Sequence, residues 1–140
     1  MTTDSIKQNT NQGTTSTENN SETLAGLREY TIDAKGKRLG NVATETAAIL
    51  QGKDRADFVR NKVAKITVKV INASQMDITE KKKGDIYQSY SGYPGGRRLE
   101  TLEHLGKRLG YSEVLRRTVN GMLPKNKLQK LLMKNLEVTE

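Results

Sequence analysis

The sequence predicts a small α/β sandwich with a basic, helical C-terminus. Two observations carry this prediction. A strand pattern, a helix pattern and a second strand pattern follow one another between residues 28 and 71. That order favours a parallel strand pair joined by a right-handed crossover. The last third of the chain instead shows leucines at helical spacing among many lysines and arginines.

The N-terminal segment has a different composition from the rest of the chain. Residues 1–23 are mostly Thr, Asn, Ser and Gln, and Ile6 is their only large apolar residue after Met1. Such a segment cannot bury enough apolar surface to offset the entropy lost on ordering. We therefore predict a disordered polar tail over residues 1–26 and a single domain over residues 27–140, for which the length leaves room.

The first predicted elements are a strand, a helix and a second strand. The β-prone run Tyr30–Ile32 ends at Asp33, ahead of a Lys-Gly-Lys turn. Positions 39, 42, 43, 46, 47 and 50 then fall on one face of a helix, and Gly52 is placed to end it. The run Val63–Ile71 is nearly all β-branched and apolar on both faces, so this strand should lie centrally in the sheet.

The residue pattern between positions 78 and 109 predicts more extended structure and then a helix. Ile78–Thr79 and Asp85–Tyr90 should be extended on either side of a run of three lysines. The leucines at positions 99, 102, 105 and 109 predict the buried stripe of the following helix.

Two further helices and a strand complete the predicted domain. Ser112 can serve as the N-cap of one helix, and Asn120-Gly121 should end it. The final helix should carry Pro124 in its first turn and bury the leucines at 128, 131 and 132, with lysines at 127, 130 and 134 on a separate stripe. Leu136–Val138 is predicted to add a terminal strand.

The positive charge lies almost wholly in the predicted domain. The formal net charge is +8; residues 1–27 hold one lysine and three carboxylates, which leaves 23 cations and 13 carboxylates, or +10, for the rest. A domain this basic predicts a polyanionic partner, either nucleic acid or an anionic membrane surface. There is no apolar run long enough to span a bilayer, and no apolar secretory signal at the N-terminus, so a cytoplasmic location is expected.

The segment from residue 81 to residue 98 is the strongest candidate for a binding site. It combines cations and tyrosines with a glycine-rich turn. Cations beside tyrosine rings suit a ligand that offers both phosphates and bases, and glycines let such a ligand approach the backbone closely. The alternative is an ordinary solvated hairpin loop. The candidate RNA-binding residues here are Lys81, Lys82, Lys83, Tyr87, Tyr90, Ser91, Gly92, Tyr93, Pro94, Gly95, Gly96, Arg97 and Arg98.

Cations outside that segment form a second set of candidates. They are Lys35, Lys37, Arg38, Arg116, Arg117, Lys125, Lys127 and Lys130. The break between the last two helices also allows a helix-turn-helix interpretation. Lysines predominate in the second of these helices, however, and lysines position a nucleic-acid backbone better than they read bases. The alternative for each lysine is a solvated helix face.

The sequence predicts no catalytic residue, metal site, cofactor or small-molecule substrate. His104 is the only histidine, and its spacing from Glu100 and Arg108 is typical of a polar helix face. Without cysteines there are no disulfides or thiolate metal sites. Asp33 fits a turn, and Asp54 and Asp57 lie among cations as surface ion pairs would. The glycine-rich turn matches neither G-x-x-x-x-G-K-[ST] nor G-x-G-x-x-G. A nucleotide-using enzyme is therefore the third hypothesis for function.

Four sequence blocks occur in order and point to one family. They are Tyr30–Lys37 running into Leu39-Gly40, then Leu50–Lys53, Ser91–Gly96 and Gly121–Lys125. Together they resemble the bacterial form of the thirteenth large-subunit ribosomal protein family, over roughly residues 28–138.

The resemblance implies a three-layer α/β/α sandwich around a small, mainly parallel sheet. It also implies binding to large-subunit rRNA early in subunit assembly, neighbouring large-subunit ribosomal proteins as partners, and no catalysis or membrane association. The glycine-rich loop with its flanking cations, and Lys125 with the last helix, would supply the rRNA contacts. The chain departs from the family pattern at Arg60–Lys65, among other places. A free-standing RNA-binding regulator on the same scaffold is the alternative function.

Overall fold

Six strands and five helices make up the computed structural model, which describes residues 22–23, 27–56 and 58–140. The strands of these residues are β1 (Glu22–Thr23), β2 (Leu27–Asp33), β3 (Ile66–Ile71), β4 (Ile86–Tyr90), β5 (Arg97–Thr101) and β6 (Leu136–Val138). The helices are α1 (Leu39–Gln51), α2 (Glu80–Lys83), α3 (Leu102–Leu109), α4 (Tyr111–Met122) and α5 (Gln129–Lys134), with a 3₁₀ turn at Ala73–Gln75.

The main sheet has the strand order β1-β2-β3-β6, and its pairing is mainly parallel. β2 and β3 pair in parallel from Arg28 opposite Ile66 to Asp33 opposite Ile71. β6 pairs in parallel with the other edge of β3, so β3 lies centrally, as predicted. β1 adds an antiparallel edge within the predicted tail. The other residues of that tail lie outside the described residues, and the boundary at residue 27 stays a prediction.

The core lies between one face of this sheet and the helices. α1 buries the six positions that the sequence predicted, from Leu39 to Leu50. The helix ends at Gly52, which has a φ of 74° and donates its N–H to the Ile49 carbonyl at 2.8 Å. A Cβ at Gly52 would also lie 3.2 Å from that of Ala64, so this C-cap needs glycine for both conformation and space. Buried residues of α1, α3, α4 and α5 join one apolar cluster with the inner face of β3.

The opposite face of the sheet is polar. Lys69 on β3 lies 3.4 Å from the Glu29 carboxylate on β2 and 4.0 Å from that of Glu137 on β6. These three side chains are partly exposed, between 35% and 62%. The mixed α/β fold with a small, mainly parallel sheet is therefore confirmed.

α3 begins later than predicted. Leu99 belongs to β5 and is 56% exposed, and Leu109 is 44% exposed, so only Leu102 and Leu105 of the predicted stripe are buried. The helix starts at Leu102 because the Thr101 side chain accepts a hydrogen bond from the His104 N–H and caps it. The lysine run was expected to separate extended segments, and it forms the single turn of α2 instead.

The ends of α4 also differ from the prediction. Gly110 precedes the helix, so Ser112 lies inside it rather than at the N-cap. The helix continues through Asn120-Gly121 and ends at Met122. Leu123 is extended because a residue before proline disfavours the helical conformation.

α5 is shorter than the predicted final helix. Asn126 accepts hydrogen bonds from the Leu128 and Gln129 N–H groups, each at 3.1 Å, and the helix follows from Gln129. Pro124 therefore lies ahead of the helix and not in its first turn. Leu132 is buried as predicted, whereas Leu131 is 47% exposed.

Candidate nucleic-acid interface

The glycine-rich loop is the tip of a hairpin that stands apart from the main sheet. β4 and β5 pair from Ile86 opposite Thr101 to Tyr90 opposite Arg97, so residues 91–96 connect the two strands. The loop is closed by two backbone hydrogen bonds. The N–H of residue 91 donates to the carbonyl of residue 96 at 3.2 Å, and the N–H of residue 96 donates to that of residue 93 at 2.9 Å.

Glycine is required at three positions in this loop. Gly92 and Gly95 have φ values of 90° and 73°, in the left-handed region that side chains disfavour. Gly96 has an ordinary φ, but a Cβ there would overlap the Ser91 hydroxyl and lie 3.0 Å from the Tyr93 carbonyl oxygen. The glycines therefore shape the turn itself, and close approach of a partner stays a prediction.

The hairpin tip displays aromatic rings and cations. Tyr90 is 64% exposed and Tyr93 is 75% exposed. Arg97 and Arg98 are exposed and, as neighbours in a strand, point to opposite faces of the hairpin. Arg97 donates to the side-chain oxygen of Gln88 at 3.2 Å, and no described carboxylate lies within ion-pair distance of either arginine. These four side chains are thus available to an external ligand.

Other hairpin residues hold it against the body of the domain. Tyr87 is half-buried, and its hydroxyl lies 3.3 Å from that of Thr118 on α4. On the same face Glu100 accepts a hydrogen bond from Arg108 of α3 at 2.7 Å, and this bond lowers the pKa of the Glu100 carboxyl. Tyr87 is therefore an anchor of the hairpin more than a displayed ring.

Several predicted cations are already occupied by neighbouring carboxylates. Five of them form ion pairs: Lys37 with Glu45, Arg38 with Asp77, Lys82 with Asp85, Lys83 with Glu80, and Arg117 with Glu113. The bonds to Asp85 and Glu80 raise the pKa values of the two lysines. Exposed pairs of this kind are weak, so a phosphate can still compete for these cations.

The remaining predicted cations make no ion pair with any carboxylate that the structure describes. They are Lys35, Lys81, Arg97, Arg98, Arg116, Lys125, Lys127 and Lys130. They occupy different elements, and the hairpin tip and the connection before α5 each hold a group of two. Elsewhere, Arg38, Lys82 and Tyr87 line one cavity of about 320 Å³ between the start of α1 and the hairpin.

Asp33 and Asp54 are structural. Asp33 accepts hydrogen bonds from the Lys35 backbone N–H at 3.0 Å and the Asn72 side chain at 2.9 Å. These bonds, chiefly the one from Asn72, lower its pKa. Asp54 accepts a 2.8 Å hydrogen bond from the Tyr30 hydroxyl. Asp57 lies outside the described residues.

The structure gives no sign of a metal site, a membrane span or a helix-turn-helix unit in the residues that it describes. His104 is exposed on α3. Within residues 27–56 and 58–140, no group of three or more acidic or histidine side chains is arranged to hold a metal ion. None of the helices in this part of the chain has the length and apolarity that a membrane span needs. The connection from α4 to α5 spans residues 123–128, longer than the turn of a helix-turn-helix unit of about three or four residues.

Residues 27–140 match the model of the family described as ribosomal protein L13. The chain belongs to this family. Its relatives include the large ribosomal subunit protein uL13 of Synechocystis sp. (strain ATCC 27184 / PCC 6803 / Kazusa), which is 42% identical over 78% of this chain and 72% of the relative. The uL13 protein of Microcystis aeruginosa (strain NIES-843 / IAM M-2473) is also 42% identical, over 85% of this chain and 78% of the relative. That of Synechococcus sp. (strain CC9311) is 38% identical, over 78% and 73%.

Membership in the L13 family agrees with the resemblance seen in the sequence blocks. The family consists of structural, non-enzymatic proteins, which confirms the prediction that the chain is not an enzyme. The family description and the names of the relatives also agree with the predicted location in the large ribosomal subunit.

The sequence interpretation missed one group of cations. Lys53, Arg60 and Lys62 were not among the candidate binding residues, yet they border a groove next to the connection before α5. Residues 51–65 hold five cations and two carboxylates, and this local excess of positive charge could have identified the segment from the sequence.

Proposed function

We propose that this L13-family protein binds large-subunit rRNA through its basic surface and its glycine-rich hairpin loop, and that it acts early in assembly of the large subunit. The observation that carries the proposal is the hairpin tip, where Tyr90, Tyr93, Arg97 and Arg98 are exposed around a loop fixed by its glycines. The names of its relatives, all large ribosomal subunit proteins, support the same assignment.

The proposed mechanism is neutralisation of phosphates combined with stacking. Each cation that contacts a phosphate releases a condensed counterion, so binding should weaken steeply as salt increases. The two exposed tyrosines can stack on unpaired bases, which sequence-specific RNA binding commonly exploits. Because the two arginines lie on opposite faces of the hairpin, the tip can contact phosphates on both sides at once.

Neighbouring large-subunit proteins are part of the proposal. On one face of the hairpin Ile86 is 67% exposed and Leu99 is 56% exposed. Apolar side chains displayed together in this way suit a protein contact. We also propose the three-layer α/β/α arrangement that the resemblance implies, in which a further layer covers the polar face of the main sheet around Lys69.

The proposed function is tested by fractionating native cell lysate on sucrose gradients at moderate and high salt. We expect the protein to migrate with the large subunit and to remain there through the high-salt wash. Recovery only in the soluble top fractions would contradict the proposal and favour the free-standing RNA-binding regulator. A purified large-subunit rRNA transcript, titrated with the protein, tests the RNA contact directly.

Replacing Gly96 with Val should weaken binding to the rRNA transcript by about tenfold or more, which corresponds to about 1.4 kcal/mol. The added side chain overlaps Ser91 and the Tyr93 carbonyl, so the loop has to move while the main core stays intact. Titration of the transcript measures the affinity, and circular dichroism checks the fold. Gly40→Val is the matched control, because no atom lies within 4 Å of a Cβ at that exposed position. Equal affinities for the two variants would mean that the loop shape does not matter for binding.

A further inference from the structure

A groove lies between the segment that follows α1 and the connection that precedes α5. It has a volume of about 350 Å³, near the lower end of the roughly 300–1,000 Å³ that ligand sites occupy. Lys53, Phe58, Arg60 and Lys62 line it from one side, and Leu128 and Leu132 from the other. Phe58 also lines an adjoining cavity of about 160 Å³. Two sequence-distant segments thus form one concave surface, away from the residues of the hairpin loop.

The two segments that form this groove are strongly basic. Residues 51–65 hold five cations and two carboxylates, and residues 124–134 hold four cations and no carboxylate. Asp54, the described carboxylate of the first segment, accepts a hydrogen bond from Tyr30. No described carboxylate lies within ion-pair distance of Lys53, Lys62 or Lys125. The rim therefore has positive charge that the described residues leave uncompensated.

The groove is apolar between these cations. Phe58, the only phenylalanine of the chain, is 37% exposed, and Val59 is 46% exposed. Leu132 forms part of the buried core, so the floor of the groove is fixed by the domain. An exposed ring beside an apolar floor and a basic rim is complementary to a nucleotide, which has a flat base and an anionic phosphate.

We propose that this groove is a second RNA-binding site, which takes an unstacked nucleotide of a single-stranded segment. The base stacks on Phe58, and the flanking phosphates contact Lys53 and Lys62, which line the groove. Lys125 lies in the chain between the lining residues Pro124 and Asn126 and can contact a further phosphate. The inference extends the proposed function, on which it rests, from the hairpin loop to a separate surface of the domain.

The composition of the groove favours RNA over an acidic protein segment. Protein interfaces are depleted in lysine, whereas aromatic residues and arginine are enriched in them. Seven of the nine cations in these two segments are lysines, at positions 53, 62, 65, 125, 127, 130 and 134. Lysine is a compact point charge that suits phosphate without selecting a base, which fits contact with an RNA backbone.

The test uses the full chain and two substitutions at the groove. The probes are a short, labelled oligouridylate, which is single-stranded and weakly stacked, and an oligoglutamate of the same net charge. Phe58→Leu should weaken oligouridylate binding by about fivefold or more, because stacking on an aromatic ring is lost. Lys53→Gln combined with Lys62→Gln should reduce the slope of log affinity against log salt by up to about 1.4, since each single-strand phosphate contact contributes about 0.7.

A matched control distinguishes the loss of phosphate contacts at the groove from the loss of net positive charge. Lys69→Gln with Lys107→Gln removes the same charge from two lysines that pair with Glu29 and Glu103 on other surfaces. We expect this control to retain most of the wild-type salt slope. Phe58 and both groove lysines are exposed, so the variants should fold, and thermal melts check that they do.

The possible outcomes distinguish RNA binding at the groove from RNA binding at the hairpin loop. If both groove variants bind oligouridylate with the affinity and salt slope of the wild type, and rRNA binding is intact, the groove is not an RNA-binding site. The proposed function would then still stand. Tighter binding of oligoglutamate than of oligouridylate by the wild type would also overturn it, in favour of an acidic protein segment. Loss of rRNA binding only in hairpin variants would leave the proposed function supported without the groove. Failure of the wild type to bind the rRNA transcript would instead contradict the proposed function itself.

Discussion

Changing both Arg97 and Arg98 to Ala should reduce the salt slope of rRNA binding by up to about two units. Each arginine that contacts a phosphate of duplex RNA contributes close to one unit, since its loss leaves one counterion condensed on the RNA. At about 0.1 M salt, a change of this size corresponds to a loss of affinity on the order of tenfold to one hundredfold. Titrations of the transcript at a series of salt concentrations measure both quantities.

The result is informative because neither arginine is engaged with a described carboxylate. Their removal therefore breaks no ion pair of the described domain, and its stability should hardly change. Lys69→Ala with Lys107→Ala removes two charges that do form ion pairs, and serves as the control. A slope that falls equally in both variants would indicate that the hairpin arginines act only through the net charge of the protein.

Replacing Leu132 with Ala should destabilise the domain by about 2–5 kcal/mol, which is the usual cost of emptying a leucine site in a core. Leu132 is 5% exposed and belongs to the apolar cluster beneath the sheet. Its neighbour Leu131, on the same short helix, is 47% exposed. Leu131→Ala should therefore cost less than about 1 kcal/mol. Urea denaturation of both variants measures the difference.

Comparison of the two leucine variants tests the orientation of α5, because the sequence predicted that both leucines lie in the core. Spacing alone does not show which of them is buried. Neighbouring residues lie about 100° apart around a helix, and an apolar stripe of about that width can include both. Equal losses of stability would mean that α5 is rotated about its axis relative to the sheet. A small loss for Leu132 alone would place α5 outside the cooperative unit of the domain.

Local sequence was sufficient for the first half of the fold. The buried face of α1 and the central position of β3 follow from periodicity and β-branched composition, because these elements are regular and bounded by strong signals such as Gly52. The helices of the second half were placed less well. Their ends depend on single capping contacts, such as Thr101 with the His104 N–H, and on the extended residue before Pro124. Such contacts can begin or end a helix at a residue inside its apolar stripe, and the spacing of the leucines does not show where this happens.

The candidate site was predictable as a set of residue types but not as a surface. The glycines and exposed tyrosines of the hairpin follow from composition. Tyr87 was grouped with Tyr90 and Tyr93, yet it faces α4, and only the register of β4 against β5 makes this visible. The groove at Phe58 joins segments more than sixty positions apart, and no local pattern brings them together.

The parallel pairing of β3 with β6 has a consequence for the order in which the chain acquires its structure. Val68 is opposite Leu136, so the central strand has an unpaired edge throughout synthesis of the intervening half of the domain. Contacts between residues so distant in sequence form slowly, because a long loop has to close before they can stabilise anything. Until β6 pairs with it, the edge of a strand rich in Ile and Val is open to other chains, and such edges promote aggregation. The four-stranded sheet is therefore completed only after β6 has been synthesised, and we expect a chain truncated before Leu136 to aggregate through the open edge of β3.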